Sequence, residues 1–174
     1  MFGKKQPARA PWSVQLLTTD YLISGHLDGD STGAAFLHVQ REKLAWATLT
    51  LTDAQCEATA GLAAPPALVP EWVLTNMAQF VALLPRDEGS LAYCAKKNNS
   101  SNHPFAAEVY VGPYVLRGTL LSTDTSLDFL ADYATFVMQT VVIDSLAPGA
   151  RLRGLAAPYV IVRSLLLHGI VPQA

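Results

Sequence analysis

The sequence predicts a mainly β protein made of two duplicated small five-stranded β-barrel-like domains packed together, with one or two short helices. Three observations carry this expectation. Gly61-Leu62-Ala63-Ala64-Pro65 returns letter for letter 93 residues later as Gly154-Leu155-Ala156-Ala157-Pro158. The same offset lays Tyr21 on Tyr114, Gly25 on Gly118, Leu27 on Leu120, Thr32 on Thr125 and Phe36-Leu37 on Phe129-Leu130, and self-similarity at a fixed period signals a repeated structural unit. Both halves also carry short runs of apolar and polar alternation, the period of a half-buried strand.

The first domain is expected over residues 13–97 and the second over 105–174, joined by a polar linker at 98–104. Residues 1–12 read as a disordered arm with Lys4, Lys5, Arg9 and two prolines. Strands are expected at 13–17 and 21–27. Gly25 inside the second of these, matched by Gly118, suggests a bulge or tight bend where a side chain would collide with a neighbouring strand. Asp28 to Gly33 is an acidic loop that lacks the further ligands of a calcium site. Residues 46–52 alternate with Leu49 and Leu51 on one face and Trp46, Thr48, Thr50 and Thr52 on the other. Residues 53–70 read as a connection with little regular structure. A hairpin is expected from 71–75 and 79–84, and then a helix at 85–97, with Asp87 and Glu88 in its first turn and Lys96 and Lys97 in its last. In the second half, strands are expected at 107–111, 114–121 and 135–143, a helix at 123–133, a connection at 146–158 and a closing hairpin from 160–162 and 165–170.

Composition narrows the function. Hydrophobic residues make up 51% and charged residues 15%, against about 45–50% and about 25% in ordinary domains. A surface so poor in charge suggests contact with another protein or a second copy of the chain. A net charge of −2 disfavours nucleic acid, which requires clustered Lys and Arg. Cys56 and Cys94 lack metal-framework spacing and are expected as free thiols in a reducing cytoplasm. No apolar run reaches the roughly 18–20 residues of a membrane span, and no signal peptide is expected.

The run Tyr114-Val115-Leu116-Arg117-Gly118-Thr119-Leu120, then Ser126-Leu127-Asp128-Phe129-Leu130, then a strand, resembles bacterial tandem small β-barrel proteins of the Sm-like or SH3-like kind. Leu49-Thr50-Leu51-Thr52-Asp53-Ala54 looks like the middle-strand end of such a domain. The resemblance implies five short bent strands per half. RNA-binding Sm-like proteins carry an Asp and Asn motif before the middle hairpin and an Arg-Gly or Lys-Gly motif in the closing one. Here Arg117-Gly118 falls in the second strand and Arg153-Gly154 in a connection, so RNA binding is not implied.

No catalytic, cofactor or metal motif stands out. His26, His38, His103 and His168 are scattered, whereas a metal needs three or four converging donors. Neither cysteine has an adjacent base. The candidate interaction residues are Trp46 and Trp72, because aromatics anchor interfaces, and Arg151 and Arg153, which with Arg163 form the densest basic cluster. All three tryptophans lie in the first half, which marks it as the partner-binding half. The expected function is a non-catalytic protein-interaction or assembly module, with a protein partner or itself. The alternatives are a regulatory module holding a small molecule between the repeats and nucleic-acid binding in the Sm manner.

Overall fold

The structure is a computed structural model that describes residues 11–27, 49–61, 68–74, 79–98, 103–122 and 135–173. It is mainly β. Among the described residues ten antiparallel strands form one continuous sheet: β1 (Trp12–Thr18), β2 (Tyr21–Leu27), β3 (Leu49–Ala58), β4 (Val69–Leu74), β5 (Phe80–Pro85), β6 (His103–Val111), β7 (Tyr114–Ser122), β8 (Thr135–Ser145), β9 (Leu155–Arg163) and β10 (Leu167–Pro172). One helix, α1 (Glu88–Asn98), separates β5 from β6. The strand order is β10-β6-β7-β8-β9-β5-β1-β2-β3-β4.

Each half therefore follows the same order: its fifth strand, then its first to its fourth. The match extends to single hydrogen bonds. The Thr19 N–H donates to Gln79 O (3.0 Å) as Gly112 does to Leu166 O (2.8 Å). Likewise Thr59 to Asp20 O corresponds to Leu146 to Pro113 O, and Arg86 to Ser13 O corresponds to Gln173 to Ala106 O. These correspondences set the spacing between equivalent residues. It is 93 for β1–β2 against β6–β7, 87 for β3 and β5 against β8 and β10, and 88 for β4 against β9.

The repeated pentapeptide is not structurally equivalent in the two halves. Gly61 follows β3, whereas Leu155 to Pro158 open β9, so residues expected as connection are strand. By pairing against the preceding strand, Pro158 corresponds to Pro70, not to Pro65.

The expected bend at Gly25 and Gly118 is present in both halves. The register slips between Ser24 and His26 and between Arg117 and Thr119. A Cβ on Gly25 would lie 2.9 Å from Thr52 O, and one on Gly118 2.9 Å from both Gln139 O and Thr140 O. Opposite each glycine the partner strand bulges through one residue at positive φ, Asp53 at 48° and Thr140 at 52°, the left-handed region that L residues enter at a cost.

Several expectations are corrected. The two hairpins do not form: among the described residues β4 pairs only with β3, and β5 pairs with β1 and β9. Likewise β9 pairs with β8 and β5, and β10 with β6. The fifth strand of each half crosses over to pair with the first. Trp12 is no part of an arm; it opens β1 and is buried. Asp53 to Ala58 extend β3, so Cys56 lies in a strand and not in a connection. Asn98 ends α1, and His103 and Pro104 belong to β6. The sheet is continuous through both halves, so two separate closed barrels are not observed. The arm at 1–10, the loop at 28–33, Trp46 and the helix expected at 123–133 lie outside the described residues.

Two apolar cores fill the fold. One is built mainly from the second half, with Val109, Tyr114, Leu116, Leu120, Met138, Ile143 and Val160. The other is built mainly from the first, with Trp12, Val14, Leu16, Ile23, Leu51 and Cys94. The strand β5 serves both: Phe80 and Leu83 enter the first-half core, while Val81, Ala82 and Leu84 enter the second-half core. Every residue of β5 is buried. α1 packs on β1 through Trp12 and Tyr93, ring centroids 5.1 Å apart. Asp87 caps it, one carboxylate oxygen accepting from the Ser90 N–H (2.9 Å) and the other from the Ser13 N–H (2.6 Å), a side-chain substitute for missing helical partners.

Candidate functional site

The junction between the halves and the two outer edges of the sheet are where equivalent strands differ in their surroundings. At the junction Ala82 pairs with Val162 and Leu83 with Ile161. Two side chains reinforce this short ladder. Arg86 follows β5; its Nη1 donates to Ala156 O of β9 (2.9 Å) and its Nε to Gln15 Oε1 (2.7 Å). Burial lowers the pKa of this guanidinium, and the two acceptors offset part of its lost hydration. From the other half, Tyr114 reaches back. Its hydroxyl donates to Thr18 O (2.8 Å) and, having one hydrogen, accepts from Thr59 Oγ1 (2.8 Å). Burial, the largest cause, pushes its pKa up to about 12.

The outer edges are β4 and β10; among the described residues no strand lies beyond either. β4 is equivalent to β9 and β10 to β5, but their surroundings differ. Leu84 is 0% exposed, and its equivalent Val171 is 48% exposed. Ile161 is 5% exposed, and its equivalent Val73 is 45% exposed. Thr59, under the Tyr114 hydroxyl, is 2% exposed, while its equivalent Leu146 is 56% exposed. An edge strand presents unpaired N–H and C=O groups to any strand that can align with it.

The sequence-predicted residues divide. The backbone of Trp72 lies in β4 opposite Leu51, so this candidate does sit on an edge strand. Arg151 and Arg153 are exposed in the loop before β9. That loop is tied down by Asp144, whose Oδ1 accepts from the Gly154 N–H (2.8 Å) and whose Oδ2 accepts from Arg117 (2.7 Å). Arg117 also bonds Glu108 (2.9 Å), which accepts from the Tyr110 hydroxyl (2.9 Å). Asp144 is held below its usual pKa, first by the Gly154 amide, and Glu108 by its bond from Arg117. Arg163 does not join Arg151 and Arg153. It ends β9, roughly 26 Å along the strand from the residue that opens it. Among the described residues, the arginines are thus not gathered into one site.

Among the described residues no group of three or more His, Cys, Asp or Glu could hold a metal ion. His26 lies in β2, His103 opens β6 and His168 lies in β10, while His38 lies outside the described residues. Cys56 and Cys94 are buried and not joined in a disulfide, and burial pushes their thiols up to about 11 and about 12. Such thiols are almost entirely protonated near neutrality and are poor nucleophiles. An open groove of about 530 Å³ lies beside α1, lined by Pro11, Trp12, Asp87, Tyr93 and Lys96. Among the described residues no helix is long and apolar enough to cross a membrane.

Compared with known protein families, curated proteins and solved structures, the chain matches none.

Proposed function

We propose that the chain is a non-catalytic protein-interaction or assembly module built from two copies of one five-stranded unit, each wrapped on its own core, which engages other chains through its outer strands. The observation that carries this reading is the contrast between equivalent strands: β5 is buried along its whole length, while every residue of β10 is partly or fully exposed. The first copy has a strand on the outer side of its fifth strand, and among the described residues the second copy has none. The surface poor in charge and the exposed apolar side chains of Val73 and Val171 support the same reading; the prolines of the two edges, Pro70 and Pro172, stand where β9 and β5 carry Pro158 and Pro85, so they do not set the open edges apart from the strands paired at the junction.

The test is the native mass of the full chain by light scattering across a wide concentration range, for the wild type and for Val73→Lys/Val171→Lys. These side chains are half exposed, so the fold tolerates the change. The expected result is a mass above 18.7 kDa for the wild type and the monomer mass for the variant. A wild type that stays monomeric at every concentration would refute self-assembly and favour a small-molecule role instead.

A further inference from the structure

Resting on that reading, we infer that the partner is a second copy of this chain, docked head to tail so that β4 of one copy pairs antiparallel with β10 of the next in the register that β9 and β5 use inside the chain. The equivalences fix the partners. Ile161 opposite Leu83 becomes Val73 opposite Ile170, and Val162 opposite Ala82 becomes Leu74 opposite Gly169. The interface thus continues an existing one.

Two contacts outside the strands support the same arrangement. Inside the chain Tyr114 of the second half reaches Thr18 O and Thr59 of the first. The first-half equivalent of Tyr114 is Tyr21, and the equivalents of Thr18 and Thr59 are Val111 and Leu146. Head-to-tail docking brings Tyr21 of one copy over Leu146 of the next, which explains why a leucine 56% exposed stands away from both edge strands. Similarly, Arg86 donates to Ala156 O at the junction. Its equivalent Gln173 keeps a donor, facing Leu68 of the neighbouring copy, a leucine 70% exposed. Of the six exposed large apolar residues among the described ones, Leu68, Val73, Leu146 and Val171 stand at positions whose equivalents lie at the internal junction, whereas Val142 and Leu165 do not enter this argument.

The two surfaces are different, so the contact is heterologous: it generates a closed ring if the rotation between copies closes and a filament if it does not.

The experiment uses cysteine pairs in the full chain with mild oxidation. Val73→Cys/Ile170→Cys is expected to give a ladder of covalent oligomers. Val73→Cys mixed with Ile170→Cys is expected to stop at the dimer, and neither single variant alone is expected to cross-link, since facing residues of paired strands lie about 4.5–5.5 Å apart at Cβ. Leu146→Asp is expected to weaken association about tenfold or more, the consequence of burying a charge worth at least 1.4 kcal/mol. Cross-linking of a single variant with itself would overturn the head-to-tail pairing in favour of a symmetric edge contact while leaving assembly standing. An oligomeric mass with no cross-link in the mixture, or unchanged by Leu146→Asp, would overturn the register. A monomer throughout would overturn both this pairing and the assembly reading.

Discussion

Replacing Tyr114 by Phe removes one oxygen from the centre of the junction. That oxygen makes two bonds of 2.8 Å, to Thr18 O and to Thr59 Oγ1, and all three groups are buried. Phe fills the same space, so no cavity opens. The loss is the stranding of a carbonyl and a hydroxyl that water does not reach, which costs about 1–3 kcal/mol. For a chain of this size 2 kcal/mol lowers Tm by roughly 4–8 °C. Urea denaturation of wild type, Tyr114→Phe, Thr59→Val and the double variant measures the coupling. Removing both partners leaves less unsatisfied, so the double variant is expected to lose less than the sum of the singles. Losses that add within error, or a Tyr114→Phe loss below about 0.5 kcal/mol, would refute the role assigned to this hydroxyl. The same residue sets an alkaline limit. The unfolded chain releases a tyrosine proton near the ordinary value of about 10, while folded Tyr114 holds its proton to about 12. Its contribution is complete below the first value and is lost as pH rises through the second. The alkaline decline in stability is therefore expected to be shallower in Tyr114→Phe.

Other substitutions test the remaining features. Gly118→Ala places a Cβ 2.9 Å from two carbonyl oxygens, and Gly25→Ala one 2.9 Å from a single carbonyl. Both are expected to destabilise by about 1–3 kcal/mol, Gly118→Ala by more, as read by chemical denaturation. Thr140→Gly relieves a β-branched residue at φ 52° and is expected to be neutral or to stabilise by up to about 1 kcal/mol. Asp87→Ala removes the cap of α1 and its bond to the Ser13 N–H, with an expected loss of about 0.5–2 kcal/mol in thermal melts. At pH 8 an aromatic disulfide reagent is expected to find both thiols almost unreactive until denaturant is added, because Cys56 and Cys94 are shifted to about 11 and about 12. Asp144 has a depressed pKa in the fold, so its contribution is present above the unfolded value and lost as pH falls through the folded one; Asp144→Asn is expected to flatten that acid limb.

The strands were legible wherever alternation ran cleanly, as in residues 13–17, 21–27 and 114–121. Gly25 and Gly118 were read as a bend because a glycine inside a strand pattern has few other uses, and the geometry repeats at both. The misreadings share a cause. Local signals between 71 and 84 predict two neighbouring strands with a turn, and such strands usually pair. Here the partner of β5 is β1, more than sixty residues earlier in the chain, and no local pattern encodes that. The pentapeptide misled in another way: its letters match at one offset while the ladders run at another, so identity marked similarity of sequence and not of position. Among site residues, Trp72 stands out in the sequence only as an aromatic interface anchor; that its strand β4 lies at the edge of the sheet was not foreseen. Val73, Leu146 and Val171 were not singled out, since a lone exposed aliphatic residue is ordinary until its buried counterpart is known. Tyr114 was noticed only as a match to Tyr21; the bond that gives it meaning spans 96 residues.

The burial of β5 on both faces has a consequence for synthesis of the chain. All five strands of the first half have been made once Pro85 is in place, but β9 begins only at Leu155, 70 residues later. At about 5–20 residues per second that is an interval of roughly 4–14 s. During it Val81, Ala82 and Leu84 have no core to enter, and the outer flank of β5 matches the outer flank of the finished β10. The first half therefore completes the burial of its fifth strand only when β9 arrives.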